Sequence, residues 1–229
     1  MPFVVDRMSF GDVSEVMAIE KDSFTTPWPS NAYKKELGEN VNAHYLVLRL
    51  ASPEHPDQPL YRPAQPERRG FLGGFLLPLS RTRPPLPAPP DVRTMAGYAG
   101  LWLVIDEAHV TTIAVRPEYR GKGLGELLLV ALTEIALDIN ARWLTLEVRV
   151  SNTIAQALYR KYGFKPAGVR PKYYSDNRED ALIMWTDEIH SPAFQDRFMA
   201  LRADLRERLI QAGELAPFAE SLAPQSRRR

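Results

Sequence analysis

The sequence predicts an α/β fold in which strands and helices alternate along the chain. In "IAVRPEYRGKGLGELLLVAL", residues 113–132, a β-branched strand pattern passes through three closely spaced glycines into a long apolar helix pattern. In "RWLTLEVRV", residues 142–150, apolar and polar residues alternate as in a strand, and a second helix pattern follows. With 229 residues and 45% hydrophobic content, the chain has the size of one globular domain.

The other elements follow from the same two periodicities along the chain. The predicted strands are 3–8, 43–50, 69–79, 101–115, 142–150, 164–174 and 180–186. The predicted helices are 11–24, 30–38, 121–140 and 152–163, the last opened by Ser151 or Asn152 as cap. Two proline-rich segments, near 51–69 and 80–98, are interpreted as insertions within a domain that spans 1–187.

The C-terminal stretch, residues 188–229, shows a different pattern. Phe194, Phe198, Leu201, Leu205 and Leu209 recur every three or four residues, which predicts one amphipathic helix with a charged outer face. The last four residues, Ser-Arg-Arg-Arg, predict a disordered basic tip.

Composition excludes several classes of function. The chain carries 29 basic and 28 acidic residues, and this balance argues against dedicated nucleic-acid binding. It contains no cysteine, so disulfides, thiolate metal sites and a cysteine nucleophile are excluded, and a reducing cytoplasm is the expected compartment. No apolar run approaches the roughly 18–20 residues that span a bilayer, and the N-terminus lacks a signal-peptide pattern, so no membrane association is expected.

The glycines after the strand at 113–115 predict an anion site. The first N–H groups of a helix have no partner within the helix, and the helix dipole favours negative charge at that end. Glycine lets a phosphate approach the backbone, while Arg120 and Lys122 add positive charge. The spacing fits neither a Walker A loop nor the Rossmann fingerprint; the pattern is Arg-x-x-Gly-x-Gly, from Arg120 to Gly125.

This loop, with the "IAV" strand before it, resembles the coenzyme A diphosphate loop of GNAT-type N-acetyltransferases. The block "LEVRVSNTIAQALYRKYGF", residues 146–164, resembles the next strand and helix of that family. The resemblance covers roughly 3–187 apart from the two insertions. It implies a mostly antiparallel central sheet, splayed at the cofactor site and flanked by helices, and direct transfer from acetyl-CoA without a metal. The residues that it implies for the cofactor are Ile113, Val115, Arg120, Gly121, Lys122, Gly123, Leu124, Gly125 and Asn152.

Three further stretches indicate which subgroup of this family the sequence resembles. "TPWP", the Glu-Val-Arg strand and "RPKYYSDNREDALIMW" together resemble the bacterial ribosomal-protein-alanine N-acetyltransferases of the RimI type and their archaeal relatives. That group implies Glu147 as the base and Tyr159 as the acid. It places Trp28, Tyr173 and Tyr174 beside the acceptor. The implied acceptor is the N-terminal α-amine of a protein, with the N-terminal alanine of a ribosomal protein as the expected case.

The residues support this chemistry independently. Glu147 shares the polar face of its strand with Thr145 and Arg149, and the helix that carries Tyr159 follows directly. An α-amine with a pKa of about 7.7–8.0 needs only modest help to lose its proton, which a glutamate acting through water provides. A phenol with a pKa of about 10 is suited to protonate the leaving thiolate.

Alternatives remain open for each residue. Glu147 could form a structural ion pair with Arg149 or Lys172, and Glu107 is the reserve candidate for the base. His109, on the same strand as Glu107, is expected to be a hydrogen-bonded sheet residue.

Packing roles compete with the remaining site assignments. Tyr159 could pack a helix against the sheet, Tyr173 and Tyr174 could be ordinary strand residues, and Trp28 could anchor its loop in the core. At the level of function, the alternatives are acetylation of a small amine or a lysine side chain, and a non-catalytic acetyl-CoA-binding module.

Overall fold

A computed structural model describes residues 2–51 and 94–215. The predicted strand at 69–79, most of both proline-rich segments and the chain end from residue 216 lie outside the described residues. The described strands are β1 (Phe3–Arg7), β2 (Ala43–Leu50), β3 (Met95–Val104), β4 (Glu107–Val115), β5 (Trp143–Arg149), β6 (Lys165–Arg170) and β7 (Ala181–Trp185). The described helices longer than one turn are α1 (Val13–Ser23), α2 (Ser30–Glu39), α3 (Leu124–Asp138), α4 (Thr153–Lys161) and α5 (Pro192–Gln211).

The described strands form one seven-stranded sheet in the order β1-β2-β3-β4-β5-β7-β6. Neighbours are antiparallel except β4 and β5, which are parallel. Only residues 107–110 of β4 pair with β5, at 143–146, and beyond them the two strands continue without pairing to each other. The predicted sheet, mostly antiparallel and splayed in its middle, is therefore confirmed.

Helices cover both faces of this sheet because its strands alternate apolar residues on two sides. In β2, Leu46 and Leu48 belong to the core shared with α3 and α5, while Tyr45 and Val47 belong to the core shared with α1 and α2. The apolar stripe predicted for 194–209 is α5, whose buried residues join the larger core. The α3 helix is buried on nearly every side, since the sheet covers one side and α5 packs on it as well.

The strand predicted to begin at residue 101 begins six residues earlier, at Met95, so residues 95–98 are not part of an insertion. The segment "MAGYAG" looks like a loop because its glycines break a strand pattern. In the fold those glycines are required by close packing. An ideal Cβ at Gly97 would lie 2.5 Å from the Ala114 carbonyl oxygen, and one at Gly100 would lie 2.4 Å from the Tyr45 ring. The stretch 101–115 is also divided, by a turn at residues 105–106, into the ends of β3 and β4.

The strand predicted over 164–174 is shorter, and β6 ends at Arg170. Lys172 adopts a left-handed backbone conformation with φ of 54°, which cannot continue a strand. Its N–H donates to Asp180 Oδ1 at 2.7 Å, closing the loop between β6 and β7. Tyr173 and Tyr174 are therefore loop residues, and the interpretation of them as strand residues is wrong.

Candidate active site

The glycine loop joins the end of β4 to the start of α3. Gly121 and Gly123 have φ of 78° and 80°, a region that glycine enters without steric cost, and α3 begins at Leu124 rather than at the predicted residue 121. Gly123 is the N-cap and no side chain caps it, so the first N–H groups of α3 remain available to an anion. No atom lies within 4 Å of an ideal Cβ at Gly121, which leaves open space beside the loop.

The two basic residues of the loop are held by protein groups. The Arg120 guanidinium donates from Nε to the Val115 carbonyl at 2.9 Å, which ties the loop back to the end of β4. The Lys122 ammonium lies 2.9 Å from Glu214 Oε1, beyond the end of α5. The loop thus reaches the first turn of α3 with both of its basic side chains engaged by protein groups.

Glu147 projects from β5 at the point where β4 and β5 separate, and its side chain is only 6% exposed. The Nε2 atom of His109, on β4, lies 2.7 Å from Glu147 Oε2. A guanidinium nitrogen of Arg170, on β6, lies 3.1 Å from Glu147 Oε1. Neither of the two ion-pair partners considered from the sequence contacts it. Arg149 instead binds Asp176 at 2.8 Å and Glu179 at 3.2 Å.

The surroundings of Glu147 favour its ionised form. Burial by itself raises the pKa of the carboxyl group, but the hydrogen bond and charge of His109 and the charge of Arg170 outweigh it, so the pKa lies below its ordinary value. The group is therefore a carboxylate at neutral pH. It can accept a proton, through a bridging water, from a nearby amine.

Tyr159 lies on α4 with its ring centroid 5.7 Å from that of Phe164. Burial, with a smaller contribution from Tyr174, raises the pKa of the phenol to about 12. A phenol with this pKa stays protonated across the working range of an enzyme, so Tyr159 carries a proton at neutral pH. Glu147 in turn raises the pKa of Tyr174, where burial is the larger cause, so Tyr174 interacts electrostatically with both predicted catalytic residues.

A cavity of about 450 Å³ lies beside these groups and is lined by all three predicted acceptor-side residues, Trp28, Tyr173 and Tyr174. Thr111 and Thr112 of β4 also line it. At this point Leu101 pairs with Val110 and Gly100 pairs with Thr112, so Thr111 is an extra residue in a β-bulge. Glu147 and Tyr159 are not on the cavity wall but interact with tyrosines that are.

Trp28 both borders the cavity and packs against neighbouring rings. The residue is 36% exposed and borders the cavity. It also packs against Trp102 and Tyr33, with ring centroids 5.8 and 5.7 Å away, which anchors the loop between α1 and α2. Arg149 and Tyr174 line the same cavity, where the Arg149 guanidinium lies 3.9 Å from the centroid of the Tyr174 ring and holds that ring in place.

Sequence reasoning missed Glu20, a buried carboxylate on the cavity wall. Its side chain accepts hydrogen bonds from Tyr33 at 2.6 Å, from the Trp28 N–H at 3.0 Å and from the Tyr98 hydroxyl. The residue is 3% exposed. The sequence carries no signal for this role, because Glu20 occupies an unremarkable position in an amphipathic helix and its partners are up to 78 residues away.

Two further residues proposed from the sequence, Glu107 and Asn152, do not line the cavity. Glu107 is the first residue of β4 and does not line the cavity. Asn152 is the N-cap of α4, where its side chain accepts a hydrogen bond from Ala155 N–H at 3.1 Å. Ile113 and Val115 lie near the end of β4, before the glycine loop, as the strand pattern predicts.

Within residues 2–51 and 94–215, no group of three or more His, Cys, Asp or Glu side chains could hold a metal ion. None of the described helices is long and apolar enough to cross a membrane.

Comparison with known proteins agrees with this geometry. Residues 56–164 match the model of the acetyltransferase (GNAT) family. The chain is 41% identical over 181 residues to a Bacillus subtilis protein provisionally named a ribosomal protein bS18-alanine N-acetyltransferase, covering 79% of this chain and 93% of that protein. The chain belongs to the GNAT acetyltransferase family.

Two comparisons with Escherichia coli proteins show which members of the GNAT family this chain is similar to. It is 46% identical over 92 residues to the ribosomal protein bS18-alanine N-acetyltransferase, covering 39% of this chain and 62% of that protein. It also superposes on the crystal structure of a ribosomal-protein-S18-alanine N-acetyltransferase with a TM-score of 0.57 and 27% identity, covering 80% of this chain and 92% of the other. N-acetyltransferase activity follows from this membership, and the predicted family resemblance is confirmed.

Proposed function

We propose that this chain transfers an acetyl group directly from acetyl-CoA to the N-terminal α-amine of a protein, with the N-terminal alanine of ribosomal protein bS18 as the acceptor. The observation that carries the proposal is the ionised Glu147, held where β4 and β5 separate and in electrostatic contact with the tyrosines of the cavity. The similarity to the bS18-alanine N-acetyltransferases supports the choice of acceptor.

The glycine loop fits the diphosphate of coenzyme A. The uncapped N–H groups at the start of α3 and the open space beside Gly121 provide donors and room for two phosphates. The residues that would hold the cofactor are those of 120–125, with Ile113 and Val115 along the strand before them and Asn152 at the start of α4. The bound thioester supplies an activated acetyl group.

The chain's own side chains move two protons in this reaction. Glu147 accepts one proton from the attacking ammonium group through water, so the neutral nitrogen forms a bond to the acetyl carbon as the carbon–sulfur bond breaks. Tyr159 donates its hydroxyl proton to the leaving sulfur. The nitrogen gives up its second proton as the amide forms, and this proton restores the Tyr159 hydroxyl through solvent, while Glu147 releases its proton to solvent. The lowered pKa of Glu147 keeps that group ionised at neutral pH, and the pKa of about 12 keeps Tyr159 protonated, so each group begins in the form that its proton transfer requires.

The cavity limits what can approach this pair. Its aromatic side chains, Trp28, Tyr173 and Tyr174, provide apolar walls. The cavity is in the size range of small-ligand pockets, so it suits a few extended residues of an N-terminus better than a folded surface. An N-terminal alanine, with a small side chain, fits such a site without displacing the rings.

The test is coenzyme A release with an alanine-starting peptide, compared with the same peptide blocked at its N-terminus, a lysine peptide and a polyamine. We expect turnover only with the free N-terminus. Glu147→Gln should lower kcat at pH 7 by about 100-fold or more, since a positioned base contributes 10²–10⁴-fold. Tyr159→Phe should lower it as well.

Glu39→Gln, an exposed acid at the end of α2, is the matched control and should keep the wild-type rate. If Glu147→Gln retains the wild-type rate from pH 6 to 9, Glu147 is not the base. If only the polyamine or the lysine peptide reacts, the proposed acceptor is wrong.

A further inference from the structure

The C-terminal helix α5 contacts the glycine loop directly. An ideal Cβ at Gly123 would lie 3.4 Å from Leu209 Cδ2 and 3.6 Å from Leu205 Cδ1, so the loop backbone rests on these two side chains. Both leucines are at least 98% buried. The second glycine of the loop therefore has a fixed apolar support that comes from α5.

Glu214, in the turn after the end of α5 at Gln211, holds the loop from a second side. Glu214 Oε1 lies 2.9 Å from Lys122 Nζ, and the Glu214 side chain is only 16% exposed. Its backbone is fixed as well, because its N–H donates to the Leu209 carbonyl at 2.9 Å and its carbonyl accepts from Phe3 N–H at 2.7 Å. This ion pair is thus anchored at the Glu214 end, unlike a pair between two mobile surface side chains.

A third contact reaches the first turn of α3. Glu126 lies in this turn, and its carboxylate is 3.2 Å from the guanidinium of Arg208 on α5. The same carboxylate is 2.7 Å from the Lys161 ammonium and 2.7 Å from the Tyr162 hydroxyl, both at the end of α4. A carboxylate at a helix N-terminus opposes the binding of a second anion. Arg208 and Lys161 offset that charge and at the same time tie the helix start to α5 and α4.

We propose that α5 is a clamp that holds the glycine loop in the conformation that receives the coenzyme A diphosphate, with Glu214 and Arg208 as its positioning residues. The inference rests on the proposed function, since it concerns the same cofactor site. On this proposal α5 raises the affinity for the cofactor, in addition to stabilising the fold through its packing.

The variant Glu214→Gln separates a clamp from a simple effect of charge. Glu214→Gln removes a negative charge near the loop, so electrostatics alone predicts tighter binding of an anionic cofactor. A clamp predicts weaker binding, because Lys122 and the loop are released. Arg208→Gln weakens binding on either basis, and Arg208→Lys, which keeps the charge near Glu126, should restore part of the affinity.

The experiment is calorimetric titration of the full-length chain with coenzyme A, together with thermal unfolding and acetyl-CoA kinetics. We expect Glu214→Gln and Arg208→Gln each to raise the Kd by about three- to tenfold through lost preorganisation. The KM for acetyl-CoA should rise in parallel while kcat stays close to wild type. Glu207→Gln removes the same charge from α5, where the side chain contacts Gln211, and should leave the Kd unchanged.

A Kd for Glu214→Gln that is unchanged or lower than wild type overturns the clamp, and so does a fall in Tm with an unchanged Kd. Failure of the proposed function has a different signature, because the wild-type chain would then bind no coenzyme A or would release none with the alanine-starting peptide, whatever the Kd of the variants.

Discussion

Single residues at the site are controlled by the neighbours that the sheet brings to them. The strand pattern places Glu147 and Arg149 on one face, but the loop acids Asp176 and Glu179 draw Arg149 away. Glu147 is left to His109 and Arg170, which come from two other strands. The sequence predicts which face Glu147 occupies, but its partners depend on strand order and could not be paired from the sequence.

His109 is expected to set the pH range of Glu147. In His109→Leu the burial of Glu147 is opposed only by Arg170 and the remaining hydrogen bonds, so the pKa of Glu147 rises and part of this proposed base is protonated in mild acid. We expect the acid limb of kcat against pH to move to higher pH, with a loss of several-fold at pH 5.5 and little change at pH 8.

His109→Gln is the matched comparison, because an amide N–H can still donate to the carboxylate, and it should shift the limb less. A profile for His109→Leu that coincides with wild type would show that His109 does not influence the base. The readout is kcat because it reports groups in the enzyme–substrate complex.

At the scale of elements, the cavity is built by two loops held against each other. The hydroxyl of Thr25, in the loop after α1, donates a hydrogen bond to Asp176 Oδ2 at 2.7 Å. The Arg149 guanidinium, on β5, donates to the same oxygen at 2.8 Å. The prolines of "TPWP" predict a loop there, whereas the strand pattern wrongly extends through Tyr173 and Tyr174; the family resemblance implies that both segments lie beside the acceptor. Their mutual contact spans 151 residues of sequence, so no local pattern could predict it.

Glu20 holds the first of these loops in shape. Glu20→Gln replaces a carboxylate that accepts from Trp28, Tyr33 and Tyr98 with an amide that cannot accept on both atoms. We expect the KM for the acceptor peptide to rise about tenfold, as for one lost hydrogen bond to a charged group, with the Kd for coenzyme A unchanged.

Asp22→Asn, a half-exposed acid on the same helix, is the control for the change of charge and should leave the peptide KM at its wild-type value. An unchanged peptide KM in Glu20→Gln would mean that the buried carboxylate stabilises the fold without shaping the acceptor cavity.

At the scale of the whole molecule, the site exists because two parallel strands separate in the middle of an otherwise antiparallel sheet. The glycine loop follows one of these strands and the helix with Tyr159 follows the other, so both reach the opening. The motifs and their order predict this arrangement through the family resemblance. The position of α5 against the loop was not predictable, because an amphipathic pattern shows that a helix has a buried face but not what covers it.

A buried acid between α3 and α5 makes the free energy of unfolding depend on pH. Glu134 lies there with a side chain 7% exposed, 2.5 Å from the Arg202 guanidinium, and its Oε2 has no hydrogen-bond partner. Burial raises its pKa to about 7, against the opposing charge of Arg202. Between about pH 4.5 and 7 the folded state therefore keeps a proton that the unfolded chain releases, so the free energy of unfolding falls as pH rises through this window.

Glu134→Gln cannot ionise and should lose this dependence. Relative to wild type, the variant should gain about 2–3 kcal/mol in the free energy of unfolding between pH 4.5 and 7.5, most of it below pH 7. Denaturant unfolding at several pH values measures the difference. Glu207→Gln, an acid on α5 that contacts Gln211, should differ from wild type by the same amount at each pH. A Glu134→Gln curve parallel to wild type would show that Arg202 keeps the carboxylate ionised in the folded protein. In that case the helix carrying the glycine loop is joined to α5 by a charged pair at every pH in this window.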